Sequence, residues 1–135
     1  RILIIDDEEC IRDSLAIFAE DLGLDPVVAS APEQCTLFQD PSGHCCKSKS
    51  CTDILLIDNH LPGISGLDFI ELQLEKGCKV AVSNKAVMSG AFSSRDYLHA
   101  KNLGCHVLQK PVTYELFCNW INNLAVIQFQ AGRRI

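Results

Sequence analysis

The sequence has no long apolar run and no excess of positive charge. No hydrophobic stretch is long enough to span a bilayer and no signal-peptide pattern is present, so we expect a soluble, cytoplasmic protein with no membrane partner. The formal net charge of −5 argues against direct binding to nucleic acid, although Arg133 and Arg134 make one end locally basic. Because Arg1 stands directly before an apolar run, we also expect the chain to be part of a longer one.

Glycine-rich loops and paired metal-binding cysteines are also missing. No Gly-rich phosphate loop follows the first apolar run, which argues against a nucleotide-binding protein. The eight cysteines contain no C-x₂-C pair, and the strong periodicity of the chain does not suit a small disulfide scaffold, so we expect reduced thiols. His44, Cys45, Cys46 and Cys51 lie in one polar loop. Surface thiols are the favoured interpretation there, and a zinc site is the alternative.

What the sequence does contain is a regular alternation of strand and helix patterns. Its 135 residues are enough for one domain with a sizeable core. Apolar runs alternate with amphipathic stretches, which predicts an α/β fold, a (βα)₅ doubly wound parallel five-stranded sheet. The predicted strands are RILII, PVVAS, DILLID, one of the two runs KVAVS and KAVMS, and CHVLQ. The predicted helices span about 9–22, 31–39, 67–77, 94–103 and 113–129.

Polar side chains follow the apolar strands at the edge where a parallel sheet carries its sites. Asp6 and Asp7 follow the first strand, Asp58 ends the third, Ser89 ends KAVMS and Lys110 follows the fifth. Each feature alone is more often an ordinary turn, cap or loop. Because right-handed crossovers bring the carboxyl ends of all strands to one edge, we expect the five side chains to share a pocket. Carboxylates this close need raised pKa values or a bound cation, and an all-oxygen site suits Mg²⁺.

Four segments of the chain resemble the receiver domain of two-component response regulators. IIDDEE is similar to the acidic opening of that family, and LLIDNHLPGISGLDFI resembles its phospho-acceptor strand with the loop and helix that follow. VMSGA resembles its hydroxyl-bearing fourth strand, and LGCHVLQKP its Lys-Pro end. The resemblance covers nearly the whole chain. It implies a flavodoxin-like strand order 2-1-3-4-5 with KAVMS as the fourth strand, a receiver domain over 1–131, and a tail or linker start at 132–135.

The resemblance also implies a role for the acidic residues. Asp58 would be the phospho-acceptor, a nucleophile that takes a phosphoryl group from a sensor histidine kinase or a phosphotransfer protein. Mg²⁺ would be held by Asp7, by Asp6 through water, by Asp58, and by the backbone carbonyl of His60. The protein would then be a signalling module, and not an enzyme acting on a separate substrate.

The remaining residues would neutralise charge and transmit the switch. Lys110 and the metal would neutralise the phosphoryl oxygens, and Lys110-Pro111 would be a cis peptide. Ser89 would hydrogen-bond a phosphoryl oxygen and draw its loop inward. The surface that changes would be formed by the fourth and fifth predicted helices and the fifth strand. That face would bind a downstream effector domain or protein, and it could also form a homodimer.

Two positions depart from the family's usual pattern. Val107 stands three residues before Lys110, where an aromatic side chain commonly couples to the hydroxyl residue. His60 stands two residues after Asp58, at a position that influences how long the phosphoryl group survives. An exposed loop histidine is the favoured interpretation of His60, and a histidine that orients water is the alternative.

Two other functional classes stay open beside the phospho-accepting receiver. A degenerate receiver would act only as a protein-binding platform, but the complete set of acidic, hydroxyl and lysine residues argues against it. A Mg²⁺-dependent phosphatase with an Asp nucleophile would usually carry a second Asp two residues later, where this chain has His60. Such enzymes also usually need a cap domain, and no segment here could provide one.

Overall fold

The computed structural model of the chain describes residues 1–32 and 51–124. Its strands are β1 (Ile2–Ile5), β2 (Pro26–Ala29), β3 (Ile54–Asp58), β4 (Lys85–Ser89) and β5 (His106–Gln109). Its α-helices are α1 (Glu9–Asp21), α2 (Gly66–Glu75), α3 (Ser94–Leu103) and α4 (Tyr114–Asn122). Most of the predicted helix at 31–39 and the loop with His44, Cys45 and Cys46 lie outside these residues, so the fourth and fifth predicted helices are α3 and α4.

The five strands form one parallel sheet in the order β2-β1-β3-β4-β5, which confirms the predicted fold class. The register aligns the strand ends: Ile5 pairs with Ile57, Asp58 with Met88, and Ser89 with Gln109. The residues that follow the strands are therefore neighbours in space although they are far apart in sequence.

Two clusters of buried apolar side chains hold helices on the two faces of the sheet. Because alternate residues of a strand point to opposite faces, Ile54 and Leu56 belong to one cluster and Leu55 and Ile57 to the other. The first cluster packs against α1 and α4, and the second against α2 and α3. β3 is buried over its whole length, as expected for the central strand of a sheet that is covered on both faces.

The fourth strand is KAVMS, as the resemblance predicted. The competing run KVAVS supplies Val82 and Ser83 to a short 3₁₀ helix that precedes the strand. β4 begins with Lys85, which is fully buried. Its Nζ donates to Gln73 Oε1 at 2.8 Å and to Cys78 Sγ at 3.4 Å. These acceptors stabilise the buried ammonium at the amino end of the strand.

The ends of the last two helices follow from capping side chains. Ser93 and Asp96 form a capping box at the start of α3, and Gly104 ends that helix with φ +90°. α4 ends at Asn122, so the prediction of one continuous helix from 113 to about 129 was wrong at Asn123, and the last part of that prediction, 125–129, lies outside the described residues. The reason is local: Asn123 Nδ2 donates to the carbonyl of Asn119, and its N–H closes a tight turn.

Among the helices of residues 1–32 and 51–124, none has the length and apolar character needed to cross a bilayer.

Candidate functional site

Asp58 lies at the carboxyl end of β3 and is almost fully buried. Its Oδ1 accepts a hydrogen bond from the backbone N–H of His60 at 3.2 Å and faces Lys110 Nζ at 3.4 Å. A carboxylate this far from solvent needs nearby donors or cations to stay charged. The two groups that contact it supply one donor and one cation.

Asp6 follows β1 and has no exposed surface. Its Oδ1 accepts from the backbone N–H of Glu8 at 2.9 Å, and its Oδ2 accepts from Lys110 Nζ at 3.0 Å. Burial raises the pKa of Asp6, and the charge of Asp58 raises it further, whereas the bonds from Glu8 and Lys110 lower it. The net pKa is raised, so the fold disfavours the charged form of Asp6 even though it has a salt bridge.

Lys110 is the cation that Asp6 and Asp58 share. Its backbone N–H donates to the carbonyl of Ser89 at 2.8 Å, which fixes the residue beside the end of β4. Burial lowers the pKa of Lys110, but the hydrogen bond that Lys110 donates to Asp6 and the charge of Asp58 outweigh it and raise the pKa overall. The peptide bond Lys110-Pro111 is cis, as predicted. One ammonium facing two buried carboxylates leaves the cluster with a net negative charge.

Asp6 also belongs to a second group of carboxylates, whose oxygens are the ligand type of a hard divalent cation. Carboxylate oxygens of Asp6, Asp7 and Glu8 lie within 4.8 Å of one another, and Asp7 and Glu8 are exposed. Oxygen ligands at a partly open, net negative site suit Mg²⁺. The residues present therefore fit the metal, with Glu8 as a neighbour that the sequence interpretation did not include. Asp58 is not part of this group, and the metal with all of its predicted ligands stays a prediction.

Ser89 ends β4 and is fully buried. Its Oγ accepts from the backbone N–H of Ala91 at 3.1 Å and lies 2.8 Å from Nε2 of His60. His60 is exposed, as the favoured interpretation expected, but its ring has a specific partner that the sequence interpretation missed. The order β3-β4 in the sheet was the available signal, since it makes the residues after the two strand ends neighbours.

Two residues near Asp58 were not predicted and hold its loop in place. Asn59 is buried, donates its backbone N–H to the carbonyl of Met88 at 2.8 Å, and accepts from the N–H of Leu67 at 3.2 Å through Oδ1. Gly66 begins α2 so close to the strand that a Cβ would lie 2.7 Å from the carbonyl oxygen of Asp58. The amino end of α2 is thus packed directly against the end of β3.

No protein-family model matches this chain, and no curated protein matches it. Solved structures do match. A chemotaxis protein of Vibrio cholerae, CheY4, is 16% identical with a TM-score of 0.70, over 91% of this chain and 96% of that one. The beryllofluoride-activated NtrC4 receiver domain dimer is 24% identical with a TM-score of 0.73, over 92% and 94%. A CheY-like response regulator receiver domain protein of Methanospirillum hungatei JF-1 is 23% identical with a TM-score of 0.73, over 97% of both chains.

These matches define the class of fold. Each covers more than nine-tenths of both chains, and each matched structure is a chemotaxis protein or a receiver domain. The chain therefore has the fold of response regulator receiver domains, which confirms the resemblance at the level of structure.

Proposed function

We propose that this chain is a signalling receiver that takes a phosphoryl group onto Asp58 in a Mg²⁺-dependent reaction. The observation that supports this most is the pairing of one ammonium, Lys110, with two buried carboxylates, Asp6 at 3.0 Å and Asp58 at 3.4 Å. A fully buried hydroxyl, Ser89, ends the neighbouring strand. This arrangement offers a nucleophile, a fixed positive charge and a hydrogen-bond donor at one edge of the sheet.

The transfer itself requires little covalent chemistry from the protein. A carboxylate oxygen of Asp58 forms a bond to phosphorus while the bond from phosphorus to the partner's histidine nitrogen breaks, and the released imidazole takes a proton from water. Lys110 pairs with the negatively charged phosphoryl oxygens while the phosphoryl group moves onto Asp58. Asp6, Asp7, Asp58 and the carbonyl of His60 would hold Mg²⁺, which when bound supplies further neutralisation of the phosphoryl charge.

The consequence of transfer is a change at the surface near β5. Ser89 donates to a phosphoryl oxygen, and its loop moves with it toward Asp58. Two large side chains, Tyr97 and Leu98, are exposed on α3, which suits a face that binds protein partners. We assign the binding of a kinase or phosphotransfer protein to the Asp58 edge. An effector domain or protein, or a second copy of the chain, would bind the α3-β5-α4 face.

The proposal is tested by incubating the protein with Mg²⁺ and acetyl phosphate and measuring its intact mass. The wild-type chain should gain one phosphoryl group, and Asp58→Asn should gain none. Asp53→Asn is the matched control, because Asp53 is an exposed carboxylate directly before the opposite end of the same strand. It should be phosphorylated like the wild type. No mass gain in the wild-type chain would contradict the proposal and favour a receiver that serves only as a binding platform.

A further inference from the structure

His60 connects the predicted nucleophile to the predicted switch hydroxyl. Its backbone N–H donates to Asp58 Oδ1 at 3.2 Å, and its ring Nε2 lies 2.8 Å from Ser89 Oγ. These contacts come from one exposed residue in the loop after β3, and they reach the two atoms between which a phosphoryl group would be held. The proposed function gives His60 only a carbonyl that binds metal, and it leaves the side chain without a role.

The hydrogen bonds of Ser89 determine whether its Oγ or Nε2 of His60 donates the proton between them. Its hydroxyl is fully buried, so the proton needs an acceptor inside the protein. Within the described part of the chain, Oγ makes hydrogen bonds with the N–H of Ala91 and with Nε2 of His60. A backbone N–H cannot accept a proton, so the tautomer of His60 in which Nε2 accepts is the one that satisfies the Ser89 hydroxyl. The His60 ring therefore receives the only proton that Ser89 can donate.

We propose that His60 is a positioning residue that holds the Ser89 hydroxyl in its resting state. The inference rests on the proposed function and adds to it the partner from which Ser89 is released. A phosphoryl oxygen on Asp58 needs the same single proton that the ring accepts. Phosphorylation therefore exchanges the Ser89–His60 hydrogen bond for a Ser89–phosphoryl hydrogen bond. His60 stabilises the unphosphorylated state and opposes the switch.

Binding of beryllofluoride, a stand-in for the phosphoryl group, measures this opposition. In Mg²⁺ buffer we expect His60→Ala to bind beryllofluoride roughly 2- to 10-fold more tightly than the wild type, the range expected from one neutral hydrogen bond. In a Ser89→Ala background the same substitution should change the dissociation constant little, because the bond that it removes is already absent. His99→Ala is the control, since this half-buried histidine pairs with Glu71 on α2, and it should bind as the wild type does.

The double-mutant cycle can overturn the inference. An equal effect of His60→Ala in both backgrounds would show that the ring does not act through Ser89. If the single variant His60→Ala bound beryllofluoride more weakly than the wild type, the ring would support the phosphorylated state instead.

A second measurement needs no phosphoryl analogue and separates this inference from the proposed function. The ¹⁵N NMR spectrum of the ligand-free protein should show an unprotonated Nε2 on His60 whose shift changes in Ser89→Ala. A protonated Nε2, or a shift that ignores Ser89→Ala, would overturn the resting hydrogen bond. If no variant binds beryllofluoride or gains a phosphoryl group, the proposed function fails and the exchange step fails with it, whereas the NMR result still decides the resting bond.

Discussion

The proposed chemistry of the site depends on an imbalance of charge, in which two carboxylates face one ammonium. Asp6 and Asp58 are both buried and share Lys110 as their nearest cation. Burial raises the pKa of Asp6 despite that salt bridge, so ionised Asp6 lowers the free energy of unfolding in the absence of a further cation. The proposed role of Asp6 in binding Mg²⁺ would account for a carboxylate whose charged form the fold disfavours.

The first prediction concerns the charge of Asp6. The pKa of Asp6 is higher in the folded chain than in the unfolded one. The contribution of Asp6 to the free energy of unfolding therefore falls as the pH rises through the range between these two pKa values. Asp6→Asn removes this charge and keeps an acceptor for Glu8. In metal-free buffer at pH 7 we expect the variant to have a higher free energy of urea unfolding than the wild type, and to lose stabilisation by added Mg²⁺.

Asp13→Asn is the control for this experiment, because Asp13 is an exposed carboxylate on α1. It should leave both quantities nearly unchanged. A variant Asp6→Asn that is less stable than the wild type in metal-free buffer would mean that the bond with Lys110 outweighs the burial of the charge.

The second prediction concerns the contact between Gly66 and the end of β3. Alanine normally stabilises a helical position relative to glycine by about 1 kcal/mol. At Gly66 a Cβ would lie 2.7 Å from the Asp58 carbonyl oxygen and 3.1 Å from Val87 Cγ2, so the sign should reverse. We expect Gly66→Ala to lower the free energy of unfolding by about 1–3 kcal/mol. Gly90→Ala, where nothing lies within 4 Å, should change it by less than about 0.5 kcal/mol. A Gly66→Ala variant with the same free energy of unfolding as the wild type would contradict this close packing.

At the scale of elements, periodicity and capping residues were enough to locate the described strands and helices. They left KVAVS and KAVMS equivalent, since the two runs have the same pattern, and only the resemblance separated them. The buried ammonium of Lys85 could not be foreseen, because its partners Gln73 and Cys78 come from α2 and the loop after it. The end of α4 was missed because a turn at Asn123 interrupts an apolar periodicity that continues beyond it.

The third prediction concerns the start of α3, the helix that leads away from the Ser89 loop. Ser93 Oγ accepts from the N–H of Asp96 at 3.1 Å, and the Asp96 carboxylate accepts from the N–H of Ser93 at 3.0 Å. Ser93→Ala removes the first bond and should lower the free energy of unfolding by about 1 kcal/mol, measured by urea denaturation. Ser94→Ala, one residue inside the helix, should be neutral or slightly stabilising. Equal effects of the two substitutions would argue against the cap.

At the scale of the whole molecule, the parallel sheet collects residues that are distant in sequence. Lys110 contacts Asp6 across 104 positions, and the strand order brings Ser89 beside the loop after Asp58. This much of the site followed from the rule that parallel strands present their carboxyl ends together. The pairing of His60 with Ser89 and the packing of Gly66 did not follow, because they depend on loop conformation and rotamers that spacing alone does not determine.

The central claim is that Asp58 accepts a phosphoryl group, and trapping that group chemically tests the claim most directly. Borohydride reduces an aspartyl phosphate to homoserine and leaves a free carboxylate unchanged. After treatment with Mg²⁺, acetyl phosphate and borohydride, peptide mass spectrometry should find homoserine at position 58 and aspartate at positions 6, 7 and 53. Aspartate alone at position 58, with the phosphoryl group on another residue or not taken up at all, would contradict the account.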